Sequence, residues 1–140
     1  MTNGYYGSSC NAHDHGGTPE WLLNQIEEEF NVVFDPCPNN PTFDGLSLDW
    51  SKLNQTIYVN PPYSRGNISK WVEKCYLEFK KGCQIVLLIP SYTDTKYFHQ
   101  YIYPYAELRF LEGRLKFKGY GNKASFPSML CIFRPGDKNE

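Results

Sequence analysis

The stretch CQIVLLIP, residues 83–90, constrains this chain most. From Ile85 to Pro90 it is apolar without a break, whereas a strand with one wet face alternates polar and apolar residues. It predicts a strand covered on both faces inside a parallel sheet. At 140 residues the chain is long enough for one domain with one such core, helices packed on the sheet.

The flanking segments supply those partners. TPEWLLNQIEEEF, residues 18–30, begins with a Thr cap and Pro at the first helical position, and sets Trp21, Leu22, Ile26 and Phe30 at helical spacing. ISKWVEKCYLEFKKG predicts a second helix with Ile68, Val72, Cys75, Tyr76 and Phe79 on one face and Gly82 as its stop. Short strands are expected over residues 32–35 and at TIYVN, residues 56–60. TDTKYFHQYIY predicts a short helix capped by Thr93. AELRFL and GRLKF alternate like strands around Glu112 and Gly113, and SMLCIFRP is a last apolar strand. Strands alternating with helices imply an α/β architecture with a parallel core and a hairpin-like antiparallel finish.

Charge is unevenly distributed. Residues 1–64 hold one base, Lys52, against eight acids, for a net −7, and residues 65–140 hold 13 bases against seven acids, for +6. One end of the fold is therefore expected to be basic and suited to a polyanion. No stretch has the length of a membrane span, and the first residues lack the pattern of a signal peptide, which predicts a cytoplasmic protein. Five irregularly spaced cysteines (Cys10, Cys37, Cys75, Cys83 and Cys131) predict reduced thiols rather than a disulfide framework. Cys10, His13 and His15 lack a second pair of ligands at zinc-finger spacing, so residues 1–16 read as a flexible polar leader with no metal site.

In parallel sheets ligands gather at the carboxyl ends of strands. Two proline-rich elements fall at those ends, FDPCPNN after the first strand and NPPY after the second, and they should share one rim. Two consecutive prolines remove two backbone donors, so the strand must end there and turn. The residues left at the turn suit one chemistry. A conjugated exocyclic amine is a poor nucleophile until acceptors draw its hydrogens and bend the nitrogen toward tetrahedral geometry. Asn60 offers a side-chain carbonyl and Pro61 a main-chain carbonyl freed from any ladder by Pro62. Tyr63 offers a flat ring against which a planar base can stack, worth about 1–3 kcal/mol. An amine so held is placed for in-line attack on a methyl sulfonium. The plainer alternative is a strand-ending turn with a surface Tyr. Asp35 can accept a hydrogen bond from a methionine ammonium, or simply close a turn on its own backbone.

TPEW, FDPCPNN, DGLSLDW, NPPYS, KWVEKCY, LIPSYTDTKYFH, RFLEGRLKF and SFPSMLCIF, in this order from Gly17 to Pro135, resemble the phage-type, Dam-like DNA N6-adenine methyltransferases. The resemblance implies a single methyltransferase domain over residues 17–140, with a three-layer Rossmann-like fold and a truncated, mostly parallel sheet closed by an antiparallel strand or hairpin. Its cofactor would be S-adenosyl-L-methionine. Thr18 and Pro19 would touch the methionine end, Asp35, Pro36 and Cys37 would shape the amino-acid pocket with Asn60 beside it, and Asp44 would lie near the adenosyl part. Asn60, Pro61, Pro62 and Tyr63 would hold a target adenine flipped out of DNA. Many relatives carry an aromatic residue where this chain has Gly17, and an Arg where it has Tyr92. With 21 residues between Asp35 and Ile57 there is no room for two further strand–helix units, so the usual ribose-binding acid has no counterpart unless Asp44 or Asp49 replaces it.

From Arg109 to Arg134 six bases face one acid, Glu112, among aromatic rings, with KGYGNKASF as a glycine-containing loop. Arg114, Lys116, Lys118 and Lys123 are the expected contacts to DNA phosphates; the alternative for the first two is an edge hairpin made soluble. Rival readings are methyl transfer to a guanine amine in RNA or to a protein glutamine, and a non-catalytic nucleic-acid-binding module on the same scaffold. With few side chains left to read base edges, a short or relaxed DNA site is expected.

Overall fold

The computed structural model describes residues 16–31, 33–38, 43–53 and 55–136. Apart from Gly16, the expected leader lies outside them, as do the zinc candidates Cys10, His13 and His15. Five strands, β1 (Val33–Phe34), β2 (Thr56–Val59), β3 (Ile85–Pro90), β4 (Glu107–Phe110) and β5 (Ser128–Phe133), form one mixed sheet in the order β1-β2-β3-β5-β4. β1, β2 and β3 run parallel, and β5 runs antiparallel to both of its neighbours. Every residue of β3 is buried, as its unbroken apolar run requires.

Successive strand residues face opposite sides, and each side has its own core. Ile57, Ile85, Leu87 and Cys131 meet Trp71, Val72 and Cys75 of helix α2 (Asn67–Lys80) and Phe98 and Ile102 of a π-helical turn (Phe98–Ile102). Tyr58, Val86, Leu88 and Ile132 meet Leu22, Ile26 and Phe30 of helix α1 (Glu20–Phe30). Each buried Val, Leu, Ile or Phe among them contributes roughly 1.5–3 kcal/mol. Gly82, at φ +111°, ends the turn after α2 in the left-handed region expected of a helix stop. Trp50, pulled in by a hydrogen bond from its indole to the Gly45 carbonyl at 2.9 Å, stacks on Trp71.

Several local expectations are corrected. Thr18 does not cap α1, because its hydroxyl is turned inward to Tyr58. Trp21 is 54% exposed, so the buried stripe of α1 is Leu22, Ile26 and Phe30 alone. Thr95, not Thr93, caps the helical turn, accepting from the Phe98 amide at 3.3 Å. GRLKF does not pair as a strand beside AELRFL; Leu115 and Phe117 instead fold onto the sheet face, and the antiparallel pairing is made by β4 with β5. Cys75, Cys83 and Cys131 are free and buried, as expected of reduced thiols, and Cys10 lies outside the described residues. Among the described residues no helix is long and apolar enough to cross a membrane.

Candidate functional site

The pairing Val33↔Thr56 and Phe34↔Ile57 sets the ends of β1 and β2 side by side, so Asp35-Pro36-Cys37 and Asn60-Pro61-Pro62-Tyr63 share a rim as the two proline signals predicted. Pro61 and Pro62 are buried there, carrying the chain out of the sheet without backbone donors to satisfy. Asn60, 8% exposed, is held from both ends of its amide. Its Nδ2 donates to Thr18 Oγ1 at 3.1 Å and to the Gly16 carbonyl at 3.4 Å. Its Oδ1 accepts from the Tyr63 hydroxyl at 3.2 Å, and that hydroxyl also reaches the Leu88 carbonyl, at 2.8 Å. The Gly16 carbonyl, which can only accept, calls for the NH2 end on its side, and the carbonyl of the amide is assigned to the Tyr63 side accordingly. Thr18 passes the network on to Tyr58, whose phenol is pushed far above its ordinary range by burial. Pro19, also buried, supplies the carbonyl that opens α1.

Beside this network Asp35 accepts from the Cys37 amide at 2.7 Å. Burial raises its carboxyl to about 7, the Cys37 hydrogen bond only partly offsetting that. No cation pairs with it among the described residues, so a cation brought to the rim would meet an acid ready to ionise. Pro36 is pressed against Gly45: a Cβ on that glycine would lie 2.0 Å from the Pro36 carbonyl oxygen. Asp44, next to it, accepts from the Leu46 amide at 3.2 Å and caps the 3-10 turn Gly45–Ser47, which brings Asp44 toward the rim through the Gly45–Pro36 contact. Asp49 goes elsewhere. It caps the turn Trp50–Lys52 and pairs with Lys81 beyond the far end of α2, away from the rim, and so is removed as a substitute for the ribose acid.

The loop after β4 lies against the same rim. Gly17 and Lys118 form an isolated bridge, and a Cβ on Gly16 would meet the Lys118 carbonyl oxygen at 2.5 Å. The edges of Phe117 and Phe126 contact the Tyr63 ring, at centroid distances of 6.1 and 5.6 Å. Of the expected phosphate contacts, Lys118 pairs with Glu20 at 3.2 Å, while Arg114, Lys116 and Lys123 are exposed and carry no ion pair among the described residues. Arg109 and Arg134 are taken by Glu29 and Glu107, stitching β4 and the end of β5 to α1.

Sequence reasoning missed Tyr58, Gly45 and the aromatic pair Phe117 and Phe126. Only Gly45 had a local signal, a glycine between two polar turns; the others depend on the sheet bringing distant segments together. The donor set would suit the cationic end of S-adenosyl-L-methionine, because a carboxyl with no counter-charge among the described residues stands beside a hydroxyl and an amide held by hydrogen bonds. Among the described residues no group of three or more His, Cys, Asp or Glu is gathered as for a metal ion. No curated protein matches the chain significantly. A family model does match it over residues 8–138, starting inside the stretch read as a leader, and on that match the chain belongs to the DNA N-6-adenine-methyltransferase (Dam) family.

Proposed function

We propose that the chain is an S-adenosyl-L-methionine-dependent methyltransferase acting on the N6 amine of an adenine flipped out of double-stranded DNA. In this reading it is a single domain with a three-layer Rossmann-like fold behind an N-terminal leader. The observation that carries it is the fixed Asn60 amide, anchored by Thr18 and Gly16 on one side and Tyr63 on the other, at a strand end beside Asp35. The cofactor, when bound, supplies an electrophilic methyl on a sulfonium. Asp35, with Thr18, Pro19, Pro36 and Cys37 around it, takes the methionine end, and the Asp44 turn flanks the adenosyl end. The Asn60 Oδ1 and the Pro61 carbonyl accept the hydrogens of N6, so that its lone pair points away from the ring and toward the methyl. Tyr63 has two tasks: its hydroxyl holds Asn60 in register, and its ring packs on the base within the Phe117 and Phe126 walls. Asn60 is neutral, so the amine proton leaves to water after transfer. Lys116, Lys118, Lys123 and Arg114 hold the phosphates on the loop side.

The test is transfer of a labelled methyl group to unmethylated duplex DNA, with nucleoside analysis of the digest and Asn60→Ala in parallel. N6-methyl-2′-deoxyadenosine is expected from the wild type. Turnover should fall roughly 100-fold or more in the variant, the scale for losing one preorganised hydrogen-bonding group. Label in guanine or in protein, or turnover unchanged in Asn60→Ala, would overturn the reading.

A further inference from the structure

Lysine and arginine side chains of this protein separate into two kinds. Lys81, Arg109, Lys118 and Arg134 form ion pairs that join elements, Lys74 pairs with Glu78 one turn along α2 and donates to the Leu48 carbonyl, and Lys80 lies over the Tyr76 and Tyr105 rings. Among the described residues Arg65, Lys70 and Lys96 have no ion pair, like Lys52, Arg114, Lys116 and Lys123. The first three line one groove of about 580 Å³ between the start of α2 and the π-helical turn. Glu73 is the carboxylate in its described lining, against those three cations.

Its position gives the groove meaning. Arg65 follows Tyr63 by two residues, and Tyr92, which lines the groove, has its ring 6.3 Å from Phe126, itself 5.6 Å from Tyr63. The groove thus opens one aromatic ring from the turn that would hold the base, and the Lys116–Lys123 loop reaches the same turn through Phe117 and Phe126. Like charges left unpaired at one place repel each other unless a polyanion neutralises them.

Resting on the reading of the chain as a DNA methyltransferase, we infer that this groove binds the DNA phosphate backbone beside the target base. It is the second wall of a clamp whose first wall is the loop carrying Lys116 and Lys123. The occupant is a phosphodiester strand because the charge is spread along the groove rather than focused on one buried point. Contacts of this kind fix register without reading sequence, so the groove adds affinity on every sequence alike.

The experiment is binding of a fluorescent duplex of about 20 base pairs, followed by anisotropy between 50 and 200 mM salt, for wild type, the triple variant Arg65→Ala/Lys70→Ala/Lys96→Ala, and Glu73→Lys. Each phosphate contact removed lowers the slope of log affinity against log salt by about 0.9, so the triple variant should lose about 2–3 units. Glu73→Lys should bind more tightly with a steeper slope, a gain that misfolding cannot produce. Calorimetric affinity for S-adenosyl-L-methionine should stay at the wild-type value in both. Slopes equal to wild type in both variants would overturn the groove while leaving wild-type methylation, and with it the proposed function, standing. A wild type that neither binds nor methylates DNA would overturn both. Groove-dependent preference for an RNA duplex of equal length would overturn the assignment to DNA.

Discussion

Replacing Asp35 with Asn tests the rim by its protons. The native carboxyl is raised from 3.8 to about 7, chiefly by burial, so between about pH 4 and 7 the folded protein keeps a proton that the unfolded chain has released. Stability therefore falls as pH rises through this window and levels off above it. A shift of about 3 units at about 1.4 kcal/mol each gives about 4 kcal/mol. Asp35 retains some opening to solvent, which lowers the expected penalty to about 2–4 kcal/mol. Tyr58, the titratable group that bears on it, stays neutral throughout because its phenol is displaced upward. The amide introduced by Asp35→Asn has no such titration and keeps an oxygen for the Cys37 amide. Urea unfolding of both proteins should give a difference of about 1 kcal/mol or less at pH 4.5 and an advantage of about 2–4 kcal/mol for Asp35→Asn at pH 8. The binding data should run the other way: wild-type affinity for S-adenosyl-L-methionine rises toward pH 7 as the carboxylate forms, and the variant loses that rise. If the stability difference were the same at both pH values, Asp35 would not be the buried acid described, and the argument for an ammonium partner would go with it.

Gly45→Ala pushes a methyl to 2.0 Å from the Pro36 carbonyl, where backbone must move on both sides. A loss of about 1–3 kcal/mol in thermal or urea unfolding is expected, with weaker cofactor binding by calorimetry; an unperturbed midpoint would show that the contact relaxes freely. Tyr63→Phe keeps the ring but removes the hydroxyl from Asn60 and Leu88. Stability should drop by about 1–3 kcal/mol, and kcat should fall while DNA affinity holds, because the amide loses its anchor and the ring does not move. Unchanged kcat would assign the hydroxyl a packing role alone.

What the sequence made legible was whatever a short window decides. The continuous run Ile85–Pro90 could only be buried on both faces, and prolines after two strands could only end them, so the sheet core and the shared rim were readable from spacing. Side chains with two possible uses were not. Thr18 could cap a helix or turn inward, and the choice depended on Tyr58, 40 residues away. GRLKF had a strand's alternation, yet Leu115 and Phe117 found a larger apolar partner in the sheet face than an edge ladder offered. Arg114, Lys116, Lys118 and Lys123 were singled out from the bases by their place on or beside a loop; that Arg109 is held by Glu29, 80 residues distant, and that Arg65, Lys70 and Lys96 converge where α2 and the π-helical turn pack on the same face, depends on the fold. Asp44 and Asp49 look alike in sequence, and only the fold sends one toward the rim and the other to Lys81.

The order β1-β2-β3-β5-β4 carries a consequence for synthesis. Of the five strands the last in chain order is an interior one, and among the described residues β4 has no neighbour in the sheet except β5. Until Phe133 has emerged, β3 presents six apolar residues along an open edge and β4 has nothing to pair with. The nascent chain is thus at its most adhesive between the emergence of β3 and that of β5, when an unpaired apolar edge invites a second chain. β5 has to insert between β3 and β4, so slow synthesis through residues 91–127 should show first as aggregation rather than as partly folded product.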